Sequence, residues 1–495
     1  RVESLKFPHF SVSYLLAITV AIQMTYRREE PMRFPEATDG SFGRLHFGNA
    51  PLTDARRTAR LIRAADQILT RPAGTLPQKL PDPYQLDALY RLLAAPDVTH
   101  AAVLQTHCQL THRRMAEATD AVILVLHDDT LLDFSGLQVE GLGPIGDGNG
   151  RGFVAHTSLA VTPAGATLGL AHQALYVHPP KAARRTRPGP AGRLWRNASA
   201  AVPTAPEGRR FVHVADRAGD IREWFDWAEV AGGSYVIRSR HDRVVGADLG
   251  DGPAEARLYA AVRAWPAAGP PRDTRLEARP GQPSRTATLR VAWRSVTLPP
   301  PRQARGRERL VPLAVWVVRV WEADPPAGVE PVEWLLVTNV SVDSGADAWE
   351  RVDWYTRRAV IEEFHKAWKT GMGVERLQLT TRERLEPAVG LLAVMAAFLL
   401  ALRDAGRDSA AAQRPATDWV PAAWVAVLRQ WRYGTAERPP WTVAEFLLAL
   451  GRLGGHQNRP SDGMPGWMTL WHGWTQLQLM VAVAAIQGLP RSGGT

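Results

Sequence analysis

Cysteine, lysine and long apolar runs are all scarce in this chain. A single cysteine, Cys108, among 495 residues excludes an internal disulfide and any zinc site built from cysteines. It also fits a reducing cytoplasm. Only five of the 59 basic residues are lysines, so arginine carries most of the positive charge. The formal net charge of +10 predicts a polyanionic partner, with nucleic acid the first candidate and an anionic membrane the second. An excess of arginine can also result from coding bias alone.

The two longest apolar runs do not predict a membrane span. Residues 10–24 are too few to cross a bilayer, and no clear cleavage site for a signal peptide follows them. Because the chain opens on Arg1, Met32 is an alternative start, and residues 1–44 are treated as a leader of uncertain origin. The second run, residues 388–402, is short and flanked by charge, which predicts a buried core helix. We therefore expect no membrane partner.

An all-helical unit is predicted for residues 45–118. Its clearest element is a helix from about residue 54 to 69, which carries a row of arginines opposite an apolar face. A row of this kind suits contact with nucleic-acid phosphates, although a solvated charged face has the same pattern. The arginines of the row and its flank are Arg56, Arg57, Arg60 and Arg63.

Strands and helices alternate over residues 119–404, with a β-rich insertion at about 242–332. Helices return over residues 405–495, where tryptophan is frequent. The apolar stripe of the last helix is typical either of internal core or of a dimer face. The pattern predicts an α/β protein flanked by helical domains.

Carboxylates follow two of the predicted strands. The apolar strand over residues 121–126 leads into Asp128 and Asp129, and the strand over residues 210–215 ends at Asp216. The carboxyl ends of strands in an α/β sheet are where such proteins place their chemistry. These acids are therefore candidate site residues.

A third acid lies on a predicted helix over residues 353–371. At about 100° per residue, its polar residues Tyr355, Arg358, Glu362 and Lys369 fall within roughly 60° of one another. An amphipathic surface helix with i,i+4 charge pairs has the same spacing. Carboxylates without a cysteine or histidine cluster favour Mg²⁺ or Mn²⁺ over zinc. Two such ions about 4 Å apart can promote phosphodiester displacement.

The spacing Tyr-x2-Arg-x3-Glu-x6-Lys from Tyr355 to Lys369 resembles the signature of the bacterial DDE transposases of insertion-sequence family four. The runs DARRTARL at 54–61, DRAGDI at 216–221 and GW..LW.GW..LQ at 466–478 are similar to hairpin-forming members. The resemblance covers roughly residues 45–485. It implies an RNase H-like mixed-sheet core with an inserted β subdomain, an N-terminal DNA-end-binding domain and a C-terminal dimerisation domain.

The resemblance also implies the site residues. Asp129, Asp216 and Glu362 match the catalytic, metal-binding triad, and Asp129 is preferred to Asp128 because the family's acid directly precedes a threonine. The expected cofactor is Mg²⁺, replaceable by Mn²⁺, with two ions per site. Matching DNA-contact positions are Arg56, Arg57, Arg60, Arg238, Arg240, Trp334, Tyr355, Arg358, His365, Lys366 and Lys369.

Within that set, Tyr355, Arg358 and Lys369 match residues that grip the phosphate beside the cleaved end. Trp334 matches the tryptophan that holds a flipped base during hairpin formation, although a tryptophan in an apolar strand is commonly core. One position departs from the family: Ala359 stands where the hairpin-forming relative has a second tryptophan.

The function expected from the resemblance is cut-and-paste DNA transposition. A homodimer in the bacterial cytoplasm, associated with the nucleoid, would bind double-stranded inverted-repeat ends, cleave them and join their 3′ ends to target DNA. Two alternatives have the same residues. One is an RNase H-like nuclease without strand transfer, and the other is a DNA-binding regulator or domesticated relic.

Overall fold

A computed structural model describes residues 41–179, 191–246, 255–276, 283–300, 311–434, 439–459 and 461–486 of the chain. Most of the predicted leader, residues 1–40, lies outside the described residues.

Five helices open the described chain. The longest amphipathic one begins at the predicted place because the Asp54 side chain accepts a hydrogen bond from the Arg56 backbone N–H at 2.8 Å. Its apolar face, including Leu61, Ala65 and Ile68, is buried, which confirms the predicted polarity of this helix. The five are α1 Phe42–Phe47, α2 Ala55–Thr70, α3 Leu76–Lys79, α4 Pro83–Leu93 and α5 His100–Glu117.

A ten-stranded mixed sheet forms the centre of the molecule, and β7 and β8 pair separately. Its order is β2-β3-β1-β5-β6-β12-β11-β10-β9, with β4 beside β3. The strands are β1 Val122–Asp133, β2 Gly143–Ile145, β3 Gly150–Val161, β4 Thr167–Tyr176, β5 Arg210–Ala215, β6 Ser234–Arg238, β7 Val244–Gly246, β8 Glu255–Arg257, β9 Arg272–Leu276, β10 Arg285–Leu298, β11 Leu313–Glu322 and β12 Glu333–Thr338.

Five of these strands make the RNase H-like core that the resemblance implies. β1, β3 and β4 form an antiparallel meander, while β5 runs parallel to β1 and β6 parallel to β5. β1 is longer than predicted, because β3 continues to pair with it as far as Asp133 after the ladder with β5 has stopped at His127. Both candidate acids of β1 therefore lie inside a strand.

The β-rich insertion extends the same sheet. β12 lies antiparallel to both β6 and β11, and β10 and β9 follow outward from β11. The chain thus leaves the core after β6 and returns through β12, with the inserted strands on the far side of β12.

The helix predicted over residues 353–371 is broken in two. The N–H groups of Arg357 and Arg358 bond to carbonyls three residues back, which ends α9 at Thr356. The final turn, Ala367–Gly371, is π-helical, closed by a bond from the Met372 N–H to the Ala367 carbonyl at 2.8 Å. The helices of this region are α6 Ala191–Ala200, α7 Arg222–Ala231, α8 Leu258–Arg263, α9 Gly345–Thr356, α10 Ala359–Lys366 and α11 Arg382–Ala405.

The predicted core helix is α11. It is long and apolar enough to cross a membrane, but 94% of its most apolar window is buried inside the molecule. The C-terminal stripe is also internal: Trp467, Trp471 and Trp474 of the last helix are buried. The C-terminal helices are α12 Ala422–Tyr433, α13 Val443–Leu453 and α14 Trp467–Ile486.

Candidate active site

Adjacent acids on β1 face opposite sides of the sheet, as successive side chains of a strand must. Asp128 points toward α10, with its Oδ2 3.8 Å from Arg358 Nη1 and 3.6 Å from His365 Nδ1. Asp129 points to the other side, where its Oδ1 lies 2.7 Å from His156 Nδ1. The structure therefore places Asp128, rather than the predicted Asp129, on the side of the sheet that carries Arg358 and Glu362.

Asp216 lies at the predicted strand end. Parallel pairing of His127 with Ala215 makes the residues that follow them, Asp128 and Asp216, neighbours across the ladder. The Asp216 side chain accepts a hydrogen bond from the Ala218 N–H at 2.7 Å, which caps the short turn before α7. This bond fixes the carboxylate at the edge of the sheet.

Glu362 completes the group from α10. Its Oε1 lies 3.0 Å from Arg358 Nη2, one helical turn earlier, and the same nitrogen is 4.0 Å from Asp216 Oδ2. Three carboxylates thus converge on one guanidinium. Among the described residues, no three or more acidic, histidine or cysteine side chains are arranged closely enough to hold a metal ion as they stand. The donor set, three carboxylates, is nevertheless the type that hard cations prefer.

Burial and neighbouring charges act together on the titratable groups of this cluster. Burial raises the pKa of Asp128 to about 7; Arg358 opposes that rise, while Asp216, Asp129 and Glu362 add to it. The three carboxylates raise the pKa of Arg358 although burial works against them. Burial, with Lys369 and Arg358 nearby, lowers the pKa of His365 to about 3, so its imidazole is neutral at pH 7.

Lys369 lies apart from this group. The π turn carries it to the far end of β1, where its Nζ donates to the Leu131 carbonyl and pairs with Glu375 Oε1 at 3.2 Å. The same oxygen accepts a hydrogen bond from the Asp133 N–H at 3.0 Å. Glu375 thus ties the end of the strand to the turn, a role that no motif in the sequence signalled.

Trp334 of β12 and Tyr355 of α9 pack against each other. Their ring centroids are 5.2 Å apart at a steep angle, and Tyr355 is buried whereas Trp334 is half-buried. Tyr355 therefore supports the indole from behind, one turn before Arg358. Ala359 is exposed at the start of α10.

Two models of known protein families match the chain. One described as "Transposase DNA-binding" matches residues 40–98, and one described as "Transposase DDE domain" matches residues 200–399. The chain therefore contains a transposase DDE domain and a transposase DNA-binding domain. The second match contains Asp216, Arg358 and Glu362 and begins after Asp128. Enzymes with this domain cleave and transfer DNA strands and generally use divalent metal ions.

One solved structure similar to this chain is "Cryo-EM structure of piggyBac transposase synaptic complex with hairpin DNA". The TM-score is 0.32 and the sequence identity 10%. The match covers 78% of this chain and 61% of the piggyBac chain. A likeness this distant carries no argument about the site.

The region that matches the DNA-binding model, residues 40–98, carries the arginines of α2. Arg56, Arg57 and Arg60 line an open depression of about 340 Å³ together with Arg91. The Arg56 side chain is almost fully exposed, whereas Arg57 is held by Asp97 and by Thr53 Oγ1 at 3.3 Å.

The remaining predicted DNA-contact residues lie at the end of β6, in the loop that follows it and on α10. Arg238 Nη2 donates to the Glu333 carbonyl at 3.2 Å, and Arg240 and Lys366 are exposed. The position of Arg240 depends on Asp220, a buried acid that sequence reasoning missed. Asp220 Oδ2 accepts bonds from the backbone N–H groups of Arg240 and His241 at 2.7 and 3.0 Å.

Proposed function

We propose that this transposase belongs to insertion-sequence family four and works as a homodimer that cuts and pastes DNA carrying inverted-repeat ends. The observation that carries the proposal is the convergence of Asp128, Asp216 and Glu362 on Arg358 at the carboxyl edge of an RNase H-like sheet. The signature spacing from Tyr355 to Lys369 supports the family.

Asp128, Asp216 and Glu362 are the residues that would hold Mg²⁺ or Mn²⁺, two ions per site. Bound divalent cations supply Lewis acidity, which eases deprotonation of the attacking oxygen and stabilises the leaving oxygen. Arg358 would position the phosphate beside these acids.

The proposed reaction has four displacements at phosphorus. Water attacks at the transposon end and the 3′ oxygen leaves as a hydroxyl. That hydroxyl attacks the opposite strand, which closes a hairpin and releases the flanking DNA. A second water reopens the hairpin, and the freed 3′ hydroxyl attacks target DNA. Trp334 would stack on a flipped base during hairpin formation, with Ala359 leaving the facing side open.

The test compares adjacent glutamates on α10. Glu362 faces the site, whereas Glu363 is turned to Arg403. In Mg²⁺ with a duplex bearing the terminal inverted repeat, Glu362→Gln should abolish nicking and retain end binding in a mobility-shift assay. Glu363→Gln should still nick. Nicking by Glu362→Gln at the wild-type rate would refute the assignment.

Joining of cut ends to a target plasmid separates a transposase that inserts DNA from a nuclease of the same fold. The proposal expects joined products from the wild-type protein and none from Glu362→Gln. Cut ends that never join would favour the nuclease.

A further inference from the structure

Arg358 occupies the point at which the three acids meet. Its Nη1 faces Asp128 at 3.8 Å, and its Nη2 faces Asp216 at 4.0 Å and Glu362 at 3.0 Å. The side chain is four-fifths shielded from solvent. Its position is therefore between the carboxylates rather than on their outer rim.

Two of the three contacts are too long for hydrogen bonds. The buried Nη1 has no hydrogen-bond partner among the described residues. A structural arginine–carboxylate pair commonly has two short parallel bonds, with N–O distances below 3 Å. Charge, rather than tight bonding, thus holds most of this guanidinium, and an anion offering shorter contacts can draw it away.

Among the described residues, the neighbouring basic side chains do not lie where they could neutralise the three acids in place of Arg358. Lys369 is bound to Leu131 and Glu375 at the far end of β1, and Arg357 turns away to donate from Nε to the Pro163 carbonyl at 2.7 Å. Since a divalent cation held by the acids would lie within a few ångströms of the guanidinium, the two repel each other.

We infer that Arg358 is an internal counter-ion that excludes divalent metal from the DNA-free transposase and moves to a DNA phosphate when an end docks. Metal binding and end binding are thereby coupled, and each strengthens the other by the same factor. The inference rests on the proposed function, because it takes the three acids to be the metal ligands. It goes further because it assigns Arg358 two partners in turn: the three acids before DNA binds, and a DNA phosphate afterwards.

The experiment measures Mn²⁺ binding to the full chain without DNA, by electron paramagnetic resonance of the free ion. Arg358→Gln removes the charge and should bind Mn²⁺ at least about tenfold more tightly than the wild type. Arg358→Met, which keeps more of the stem, should do the same, and Arg358→Lys, which keeps a charge, should stay near the wild type. Arg357→Gln is the matched control and should not differ from the wild type. Thermal melting verifies that each variant is folded.

A second arm adds a pre-cleaved end duplex that stops at the transposon end and carries a 3′ dideoxynucleotide, so that it has neither the bond that water would cut nor a 3′ hydroxyl that could attack. The wild type should then bind Mn²⁺ at least about tenfold more tightly than without DNA, whereas Arg358→Gln should gain little. The inference is overturned if both charge-removing variants bind Mn²⁺ no more tightly than the wild type, or if DNA strengthens metal binding equally in all proteins.

These outcomes are distinct from failure of the proposed function. If the wild type nicks DNA and Glu362→Gln does not, yet Arg358→Gln leaves Mn²⁺ affinity unchanged, the acids are the site and the counter-ion role is wrong. If neither the wild type nor Arg358→Gln binds Mn²⁺ even with DNA, and neither of them nicks DNA, the assignment of the three acids as the metal site is wrong.

Discussion

Single residues decide which groups meet at the sheet edge. Asp128 and Asp129 differ by one position, yet one faces Arg358 and the other His156. The family motif predicts Asp129, the acid that precedes a threonine. The alternation of side chains along β1 instead places Asp128 on the side of the sheet that faces Arg358. Sequence could not settle this choice because β1 is buried on both faces, so no polar side marked the direction of each residue.

Trp334 gives a residue-scale prediction about hairpin formation. Trp334→Ala should lower the ratio of hairpin to nicked product about 5- to 150-fold, because stacking of a base on an aromatic ring contributes about 1–3 kcal/mol. The ratio is read on a denaturing gel in Mg²⁺. Trp316→Ala, which removes a half-buried tryptophan paired with Thr338 at the other end of the strands, is the control. An unchanged ratio in Trp334→Ala would remove the stacking role.

The burial of Lys79 predicts that the free energy of unfolding depends on pH. Burial lowers its pKa to about 7, and its Nζ donates to the Pro72 carbonyl. Because the folded pKa lies below the unfolded value of 10.5, the cost of burying the charge is fully present below pH 7. That cost is relieved as the pH rises from 7 toward 10.5.

Urea unfolding of the wild type and Lys79→Met at pH 7, 8 and 9 tests this. The wild type should gain stability relative to the variant, by at most about 1.4 kcal/mol per pH unit. A constant difference across this interval would mean that Lys79 keeps its proton in the folded protein.

At the scale of elements, the loops after β5 and β6 depend on one buried acid. Asp220 pairs with Arg243 at 2.5 Å and accepts the N–H groups of Arg240 and His241. Asp220→Ala should therefore destabilise the protein by about 3–5 kcal/mol in urea unfolding, since it leaves a shielded guanidinium unpaired. Asp418→Ala, which breaks an exposed pair with Arg414, should cost less than about 1 kcal/mol. Similar losses in both variants would contradict the anchoring role.

Some helices and strands could be predicted from the sequence, and others could not. The bounds of α2 and β5 follow from a capping aspartate and from an apolar run between turn residues, and they agree with the structure within one residue. The break at Arg357 was not predictable, because no proline or glycine interrupts the run and only the bond to the Pro163 carbonyl in a distant loop marks it. Glu375 was missed for the same reason, since its partners Lys369 and Asp133 come from other elements.

At the scale of the molecule, the charge of +10 and the arginine row on α2 predict salt-dependent DNA binding. Arg60→Ala should weaken binding of the end duplex and reduce the slope of log affinity against log salt by about 1. Fluorescence anisotropy between about 50 and 200 mM salt measures both. Arg452→Ala removes an exposed arginine from the last turn of α13 and should leave the slope unchanged. Equal slopes for Arg60→Ala and the wild type would place the row outside the interface.

The central claim is that Asp128, with Asp216 and Glu362, holds the metal, and that Asp129 does not. The most direct test replaces a carboxylate ligand with a thiolate. Nicking of the end duplex by Asp128→Cys and by Asp129→Cys is measured in Mg²⁺ and in Mn²⁺. A thiolate suits Mg²⁺ poorly and binds the softer Mn²⁺ better. Asp128→Cys should therefore lose nicking in Mg²⁺ and recover part of it in Mn²⁺, while Asp129→Cys should nick in both. Recovery confined to Asp129→Cys, with Asp128→Cys active in Mg²⁺, would contradict the account.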